Sequence, residues 1–363
     1  MIVVTGGGTS GHVLPALAIA EGLVARGHAV DEVHYVGTTH GVERRLVPPT
    51  GHPMTLLDVT GLQRSLSVRN LMFLPRLVKA TWQARRLVRR LHPQVVVNVG
   101  GYASFPATFA ARLTRTPVVI VSYDLRPGLV SKLLARGATA VAVAFEGSTL
   151  PHAEVTGAPV RQAIVHLDRT AERATARAAL DLPEDRFVVG VTCGSLGSQD
   201  INEVVVAAVE RLADRTDLAI HHAVGERFIH RAVSARDGSH GILYRVIGYE
   251  DRMAQLYAAA DLMVTRAGAG TIAELAVAGV PAITVPWPGA AENHQVDNAR
   301  QLSDRGGAIL IEQPDFTADR LVAEIGRLSA DRAALDALAA NAFAAGERSR
   351  SGALIDVVER VAS

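Results

Sequence analysis

"IVVTGGGTSGHVLPALAIAEGLVA" (residues 2–25) decides how the rest of the chain is read. Ile2, Val3 and Val4 form an apolar β-branched run, Gly6, Gly7, Gly8 and Gly11 punctuate a turn, and Ala16 to Val24 returns to apolar residues at helical length. A strand, a glycine-rich turn and a helix in that order open a doubly wound α/β domain, whose ligands bind at the carboxyl ends of the strands. The turn itself is open to three readings: a dinucleotide site, a phosphate site, or the place where a reaction occurs.

The same alternation continues along the chain. Runs at Glu32–Val36, Val95–Val99, Val118–Ser122 and Ala140–Ala144 are separated by helical patterns, as in a parallel sheet covered on both faces. A second series runs through Phe187–Thr192, Ala219–Ala223, Tyr244–Ile247, Leu262–Thr265, Ala282–Val285 and Ala308–Ile311. At 363 residues the chain is comfortable for two domains. The segment "VTGAPVRQAI" (155–164) predicts a hinge near Pro159, with an N-terminal Rossmann-like domain at 1–160 and a C-terminal one at 161–345. The last helix, about 346–363, suits either half. Two such domains are expected to line a cleft with the carboxyl ends of their strands.

Composition narrows the function. Lys and Arg number 37 against 36 Asp and Glu, a net charge of +1, so no global field draws the chain to nucleic acid. Cys193 is the one cysteine, which excludes an internal disulfide framework and fits a reducing cytoplasm. The start carries no basic region ahead of an apolar one, and no apolar stretch approaches the ~20 residues of a membrane span. A cytoplasmic chain is the expectation.

Gly6, Gly8 and Gly11 match G-x-G-x-x-G, but the next strand ends "YVGTTHG" (35–41) without the acidic residue that a nicotinamide ribose requires. His12 would crowd a pyrophosphate. It either caps the helix or points into the cleft as a base. A second turn, "CGSLGSQDIN" (193–202), suits a diphosphate, with Ser195 and Ser198 as extra donors, and lacks the lysine of an ATP-binding loop. In "TRAGAGTIAELAVAGVPAITVPWPGAAENHQVDNA" (265–299), small residues expose backbone donors and Glu274 lies just inside the next helix, either as a solvated glutamate or as a holder of ribose hydroxyls. Glu292, Asn293, His294 and Gln295 follow as a polar cluster after a buried strand. No Asp-x-Asp occurs, so no metal or other cofactor is expected. "RNLMFLPRLVKATWQARRLVRR" (69–90) predicts an amphipathic helix with Leu77, Ala84, Val88 and Leu91 on the core, while Met72, Phe73 and Leu74 and the surrounding cations suit an anionic membrane surface.

Together "GGTSGHVLPALAIA" (7–20), "VGGYASFPA" (99–107), "GAPVR" (157–161), "GSLG" (194–197), "RAGAGTIAELAVAGVPAI" (266–283) and "HQVDNA" (294–299) resemble the MurG-type N-acetylglucosaminyltransferases of peptidoglycan synthesis, inverting nucleotide-sugar enzymes of the two-domain GT-B fold. The resemblance covers nearly the whole chain. It implies a C-terminal domain that binds a UDP-sugar: Glu274 on the ribose, Arg161 and Ser195 near the phosphates, and the backbone around Tyr249, Glu250 and Met253 on the uracil. Ala269, Gly270, Thr271, His294, Gln295 and Asn298 would surround the rest of the donor. His12 would act as base beside an acceptor pocket that includes Thr9, Ser10, Gly11, Tyr102 and Ser104.

One segment departs from the family. Where a His-Glu-Gln-Asn run is usual, this chain has Val121, Ser122, Tyr123 and Asp124, which makes Asp124 a second candidate base and leaves the acceptor open between a lipid-linked pyrophosphate and a small molecule of glycolipid or natural-product assembly. A sugar-nucleotide epimerase and a catalytically weak sugar-nucleotide-binding or membrane scaffold subunit are the competing readings.

Overall fold

The computed structural model describes residues 1–61, 73–194, 196–231, 235–290 and 293–363. The chain forms two compact units, residues 1–162 with 348–363, and residues 163–347.

The first unit is built on seven strands: β1 (Ile2–Thr5), β2 (Val33–Thr38), β3 (Met54–Leu57), β4 (Val95–Asn98), β5 (Val118–Ser122), β6 (Ala140–Val143) and β7 (Ala153–Val155). They pair in parallel in the order β3-β2-β1-β4-β5-β6-β7. The central strands read as unbroken Val and Ile because helices cover both faces, and β1, β2, β4 and β5 are buried throughout.

The second unit repeats the plan with β8 (Phe187–Thr192), β9 (Leu218–Ala223), β10 (Arg236–Asp237), β11 (Leu243–Ile247), β12 (Leu262–Thr265), β13 (Ala282–Thr284) and β14 (Ile309–Leu310). Their order is β10-β11-β9-β8-β12-β13-β14, and among the described residues only the β10 and β11 pair is antiparallel.

β3, β7 and β10 escape the apolar-run criterion. They lie at sheet edges and are short and partly exposed, so nothing selects a continuous apolar sequence. The terminal segment differs from the single helix expected at 346–363. Gly352, at φ +78°, separates one turn (Glu347–Arg350) from the helix Ala353–Ala362. That final helix belongs to the first unit: a Cβ on Gly22 would meet Ile355 Cδ1 at 2.8 Å, Asp356 pairs with Arg26, and Arg360 reaches Glu154 at 2.5 Å.

In the second unit one buried cation holds the early helix Arg169–Ala179 against the sheet. Arg177, 1% exposed, donates to Asp261 Oδ2 at 2.7 Å and to the carbonyls of Ala259, Pro183, Glu184 and Arg186. Asp261 also accepts from the Val188 amide at 2.8 Å and from Arg173 at 2.6 Å. Removing one partner of such a pair strands the other in the interior. Asp261→Ala is therefore expected to lower the stability of the full chain by about 3–5 kcal/mol, read from its urea midpoint at pH 7.

Candidate functional site

Strand order in the first sheet reverses between β1 and β4, so the chain leaves these neighbours in opposite directions and their carboxyl ends are left uncovered. Thr5 and Asn98 are partners in register, so the turns that follow start side by side. The glycines make this closeness possible. At Gly101 (φ +80°) a Cβ would lie 2.9 Å from His12 Cδ2, and at Gly8 (φ +94°) one would lie 2.6 Å from the Tyr102 ring.

His12 sits in the first turn of the helix Ser10–Ala25 and is partly exposed. Its Nδ1 lies 2.8 Å from the hydroxyl of Tyr123, which in turn donates to the Gly11 carbonyl. The helix-cap role considered for His12 is thus set aside, since its Nδ1 meets a side chain from the end of β5. Burial lowers its pKa below the ordinary 6.5, against the opposing charge of Asp124 and a hydrogen bond at the Val99 backbone. The imidazole is therefore neutral at pH 7 and able to accept a proton. Burial also holds Tyr123 well above 10, so its phenol stays protonated.

Thr9 and Gly11 are exposed, Ser10, Tyr102 and Asp124 partly so, and Val121 and Ser122 are buried in β5. Ser104, expected on the acceptor side, lies in the loop that follows β4. It is fully buried and donates its hydroxyl to the Gly101 carbonyl at 2.8 Å, so it braces the turn from beneath.

Glu43 was missed, because beside Arg44 and Arg45 it reads as part of a solvated charge run. It is fully buried. Its carboxylate accepts the Thr38 amide at 2.6 Å and the Gly8 amide at 3.2 Å. Gly7, Gly37 and Gly41 give it room, since a Cβ at Gly37 would lie 2.9 Å from its Oε1. The spacing of those glycines around one acid was the available signal. This carboxylate occupies an amide of the G-x-G-x-x-G turn and sets negative charge where a dinucleotide's phosphates would lie.

The second sheet reverses between β8 and β12, with Thr192 and Thr265 in register. Here the buried charge is a cation. Arg266 donates to Ser198 Oγ at 2.7 Å and to the carbonyls of Val285 and Pro286, both at 3.2 Å, tying three strand ends together. Burial lowers its pKa, but a guanidinium remains charged. Next to it Cys193 is buried and its thiol is pushed up to about 12, Arg266 opposing. Ser195 and Glu292 lie outside the described residues.

Glu274 is not a free-standing surface glutamate: the hydroxyl of buried Tyr257 donates to its Oε2 at 3.0 Å. It lies in the second turn of the helix Ala269–Ala278, after Gly268, so Ala269, Gly270 and Thr271 form the helix tip. Tyr249 and Glu250 follow β11, and Met253 opens the helix Met253–Ala259. Burial alone would raise the Glu250 carboxyl, but hydrogen bonds from His221 and Arg252 outweigh it and hold it at about 2. His294 begins the helix His294–Ser303. Gln295 Oε1 accepts the Trp287 amide at 2.9 Å, and Asn298, buried, donates to the Ala267 carbonyl at 3.3 Å, so both brace their loops. All these residues follow the carboxyl ends of parallel strands of one sheet. Arg161 falls in the first unit, next to its boundary at 162. Among the described residues no group of three His, Cys, Asp or Glu side chains stands close enough to hold a metal ion.

Residues 2–143 match the Glycosyltransferase family 28 N-terminal domain and residues 188–353 its C-terminal domain. A protein of Clavibacter sepedonicus named UDP-N-acetylglucosamine--N-acetylmuramyl-(pentapeptide) pyrophosphoryl-undecaprenol N-acetylglucosamine transferase is 40% identical over 359 residues, 98% of this chain and 95% of the relative. The chain is a family 28 glycosyltransferase. An Acidothermus cellulolyticus family member of the same name is 38% identical over 364 residues, 100% of this chain and 98% of its own. The crystal structure of Acinetobacter baumannii MurG superposes with a TM-score of 0.74 at 29% identity, covering 99% of each chain. The family thus has the GT-B plan of two Rossmann-like units that the sequence suggested.

Glu43→Ala takes this acceptor from the amide of Gly8 in the first turn and that of Thr38 at the end of β2, each worth about 1–3 kcal/mol when buried. The expected loss is about 2–4 kcal/mol in the urea midpoint.

Proposed function

We propose that this glycosyltransferase moves N-acetylglucosamine from UDP-N-acetylglucosamine to a hydroxyl of a lipid-linked pyrophosphate acceptor, with inversion at the anomeric carbon. The observation that carries the reading is the contrast between the two strand reversals, with a buried carboxylate under the first turn and a buried guanidinium under the second. A nucleoside diphosphate favours the second.

In this reading Glu274, aimed by Tyr257, accepts both ribose hydroxyls. The diphosphate lies against the helix tip Ala269–Thr271 and the turn 193–198, with Ser195 and Arg161 as further donors. Tyr249, Glu250 and Met253 frame the uracil, and His294, Gln295 and Asn298 shape the sugar end. The first unit offers the acceptor hydroxyl beside Thr9, Ser10, Gly11 and Tyr102. His12 takes the hydroxyl proton as the oxygen attacks the anomeric carbon and the bond to UDP breaks, with Asp124 as the alternative base. Fixed backbone dipoles meet the charge on departing UDP without a metal step.

Incubation with UDP-N-acetylglucosamine and a lipid-pyrophosphate acceptor is expected to release UDP and add one N-acetylhexosamine mass to the acceptor. A new UDP-sugar isomer would mean an epimerase, and neither product a binding or scaffold subunit. His12→Ala is expected to lower kcat about a hundredfold or more with UDP affinity intact, and Glu274→Gln to weaken UDP by about tenfold in calorimetry.

The reading also seats the first unit on the inner face of the cell membrane. Leu74, Val78 and Trp82, 67%, 69% and 56% exposed, recur at four-residue spacing along the helix Phe73–Leu91, whose other face packs in the core. Phe109 and Leu113 on the adjoining helix are exposed as well, and Arg86 lies 4.7 Å over the Trp82 ring. Residues 71 and 72 of the expected apolar start lie outside the described residues, and among those described no helix is long and apolar enough to cross a membrane. Binding to anionic vesicles in a sedimentation assay is expected, weakened by salt and by Val78→Asp with Trp82→Asp. Binding unchanged by that pair would remove the helix from the reading.

A further inference from the structure

Proline 15 lies inside the helix Ser10–Ala25 and has no N–H to give the carbonyl four residues earlier, that of Gly11. Tyr123 supplies the missing donor: its hydroxyl approaches the Gly11 oxygen at hydrogen-bonding range and also lies 2.8 Å from His12 Nδ1. A carbonyl oxygen only accepts, so the single phenolic hydrogen points to Gly11. Otherwise two oxygens would face each other with no proton between them. The phenolic oxygen must then accept from His12, which requires the imidazole proton on Nδ1 and leaves Nε2 as the bare nitrogen of the neutral ring.

We infer that Tyr123 is a positioning residue for the reaction, bridging the carbonyl freed by Pro15 and the His12 ring so that Nε2 is presented as the proton acceptor. The inference rests on the reading of His12 as base. Tyr123 is well placed to be invariant in its own state, because its phenol stays protonated and it is buried at the end of β5. The charged and polar groups around the pair are Asp124, from the same segment, which favours a proton on His12, the Val99 backbone at the end of β4, and Tyr35 on β2, which donates to the Gly6 carbonyl. Val99 is the competitor: a ring that gave it an Nε2 proton would have no lone pair facing a substrate. The hydroxyl of Tyr123 decides against that tautomer.

The test is nitrogen-15 NMR of the full-length protein with labelled histidine, the His12 signals assigned by their loss in His12→Ala. The expected result at pH 7.5 is a neutral ring protonated on Nδ1. In Tyr123→Phe the ring is expected to move toward the Nε2-protonated form, with kcat about tenfold lower, near the net worth of one hydrogen bond, and KM for UDP-N-acetylglucosamine within about twofold of wild type. A wild-type ring protonated on Nε2 overturns the inference without any variant, as does a Tyr123→Phe protein with unchanged tautomer and kcat. Full turnover in His12→Ala overturns the base role, and the catalytic part of this inference with it. An inactive His12→Ala variant together with an Nε2-protonated wild-type ring overturns the positioning role alone.

Discussion

Right-handed crossovers place successive helices of a parallel sheet on one face until the strand order reverses, and then on the other. At the reversal no helix crosses the strand tips, so two turns stand exposed next to each other. Both sheets reverse once, between β1 and β4 and between β8 and β12, and in both the flanking strands end level. Every side chain given a role in binding or chemistry is within one loop or one helical turn or two of a strand's carboxyl end. The rest of each unit serves to keep those tips in register.

What separates the two reversals is the sign of the charge buried beneath them. In the first unit Glu43 gathers the amides of Gly8 and Thr38, which fixes the turn and withdraws it from anion binding. In the second unit Arg266 gathers carbonyls and the hydroxyl of Ser198 instead of amides. Buried charges of this kind add little net stability but allow few alternative loop arrangements. In the proposed reading, two copies of one topology are thereby turned to different substrates.

Strands with apolar residues on both faces were legible because the fold demands β-branched runs there, and eleven of the runs marked in the sequence coincide with strands to within a residue or two. The edge strands β3, β7 and β10 were not, since partial exposure relaxes the demand. The candidate site was legible where glycine spacing announces a close approach, as at Gly8 and Gly101. It was not legible where one long-range contact sets a residue's role: Glu43 looks solvated until β2 brings Gly37 beside it, and Tyr123 gains its meaning only from a carbonyl 112 residues away. Ser104 is a polar residue in a conspicuous motif whose hydroxyl is turned inward, which no local pattern announces.

The single sulfhydryl has a practical corollary. Cys193 is buried at the start of the second turn with its thiol pushed up to about 12, so it is a poor nucleophile toward maleimides or iodoacetamides. A cysteine introduced on any exposed loop would then be the sole point of attachment for a dye or spin probe. Motions of either unit can be followed in the otherwise native chain, with no background-removing substitution beside Arg266.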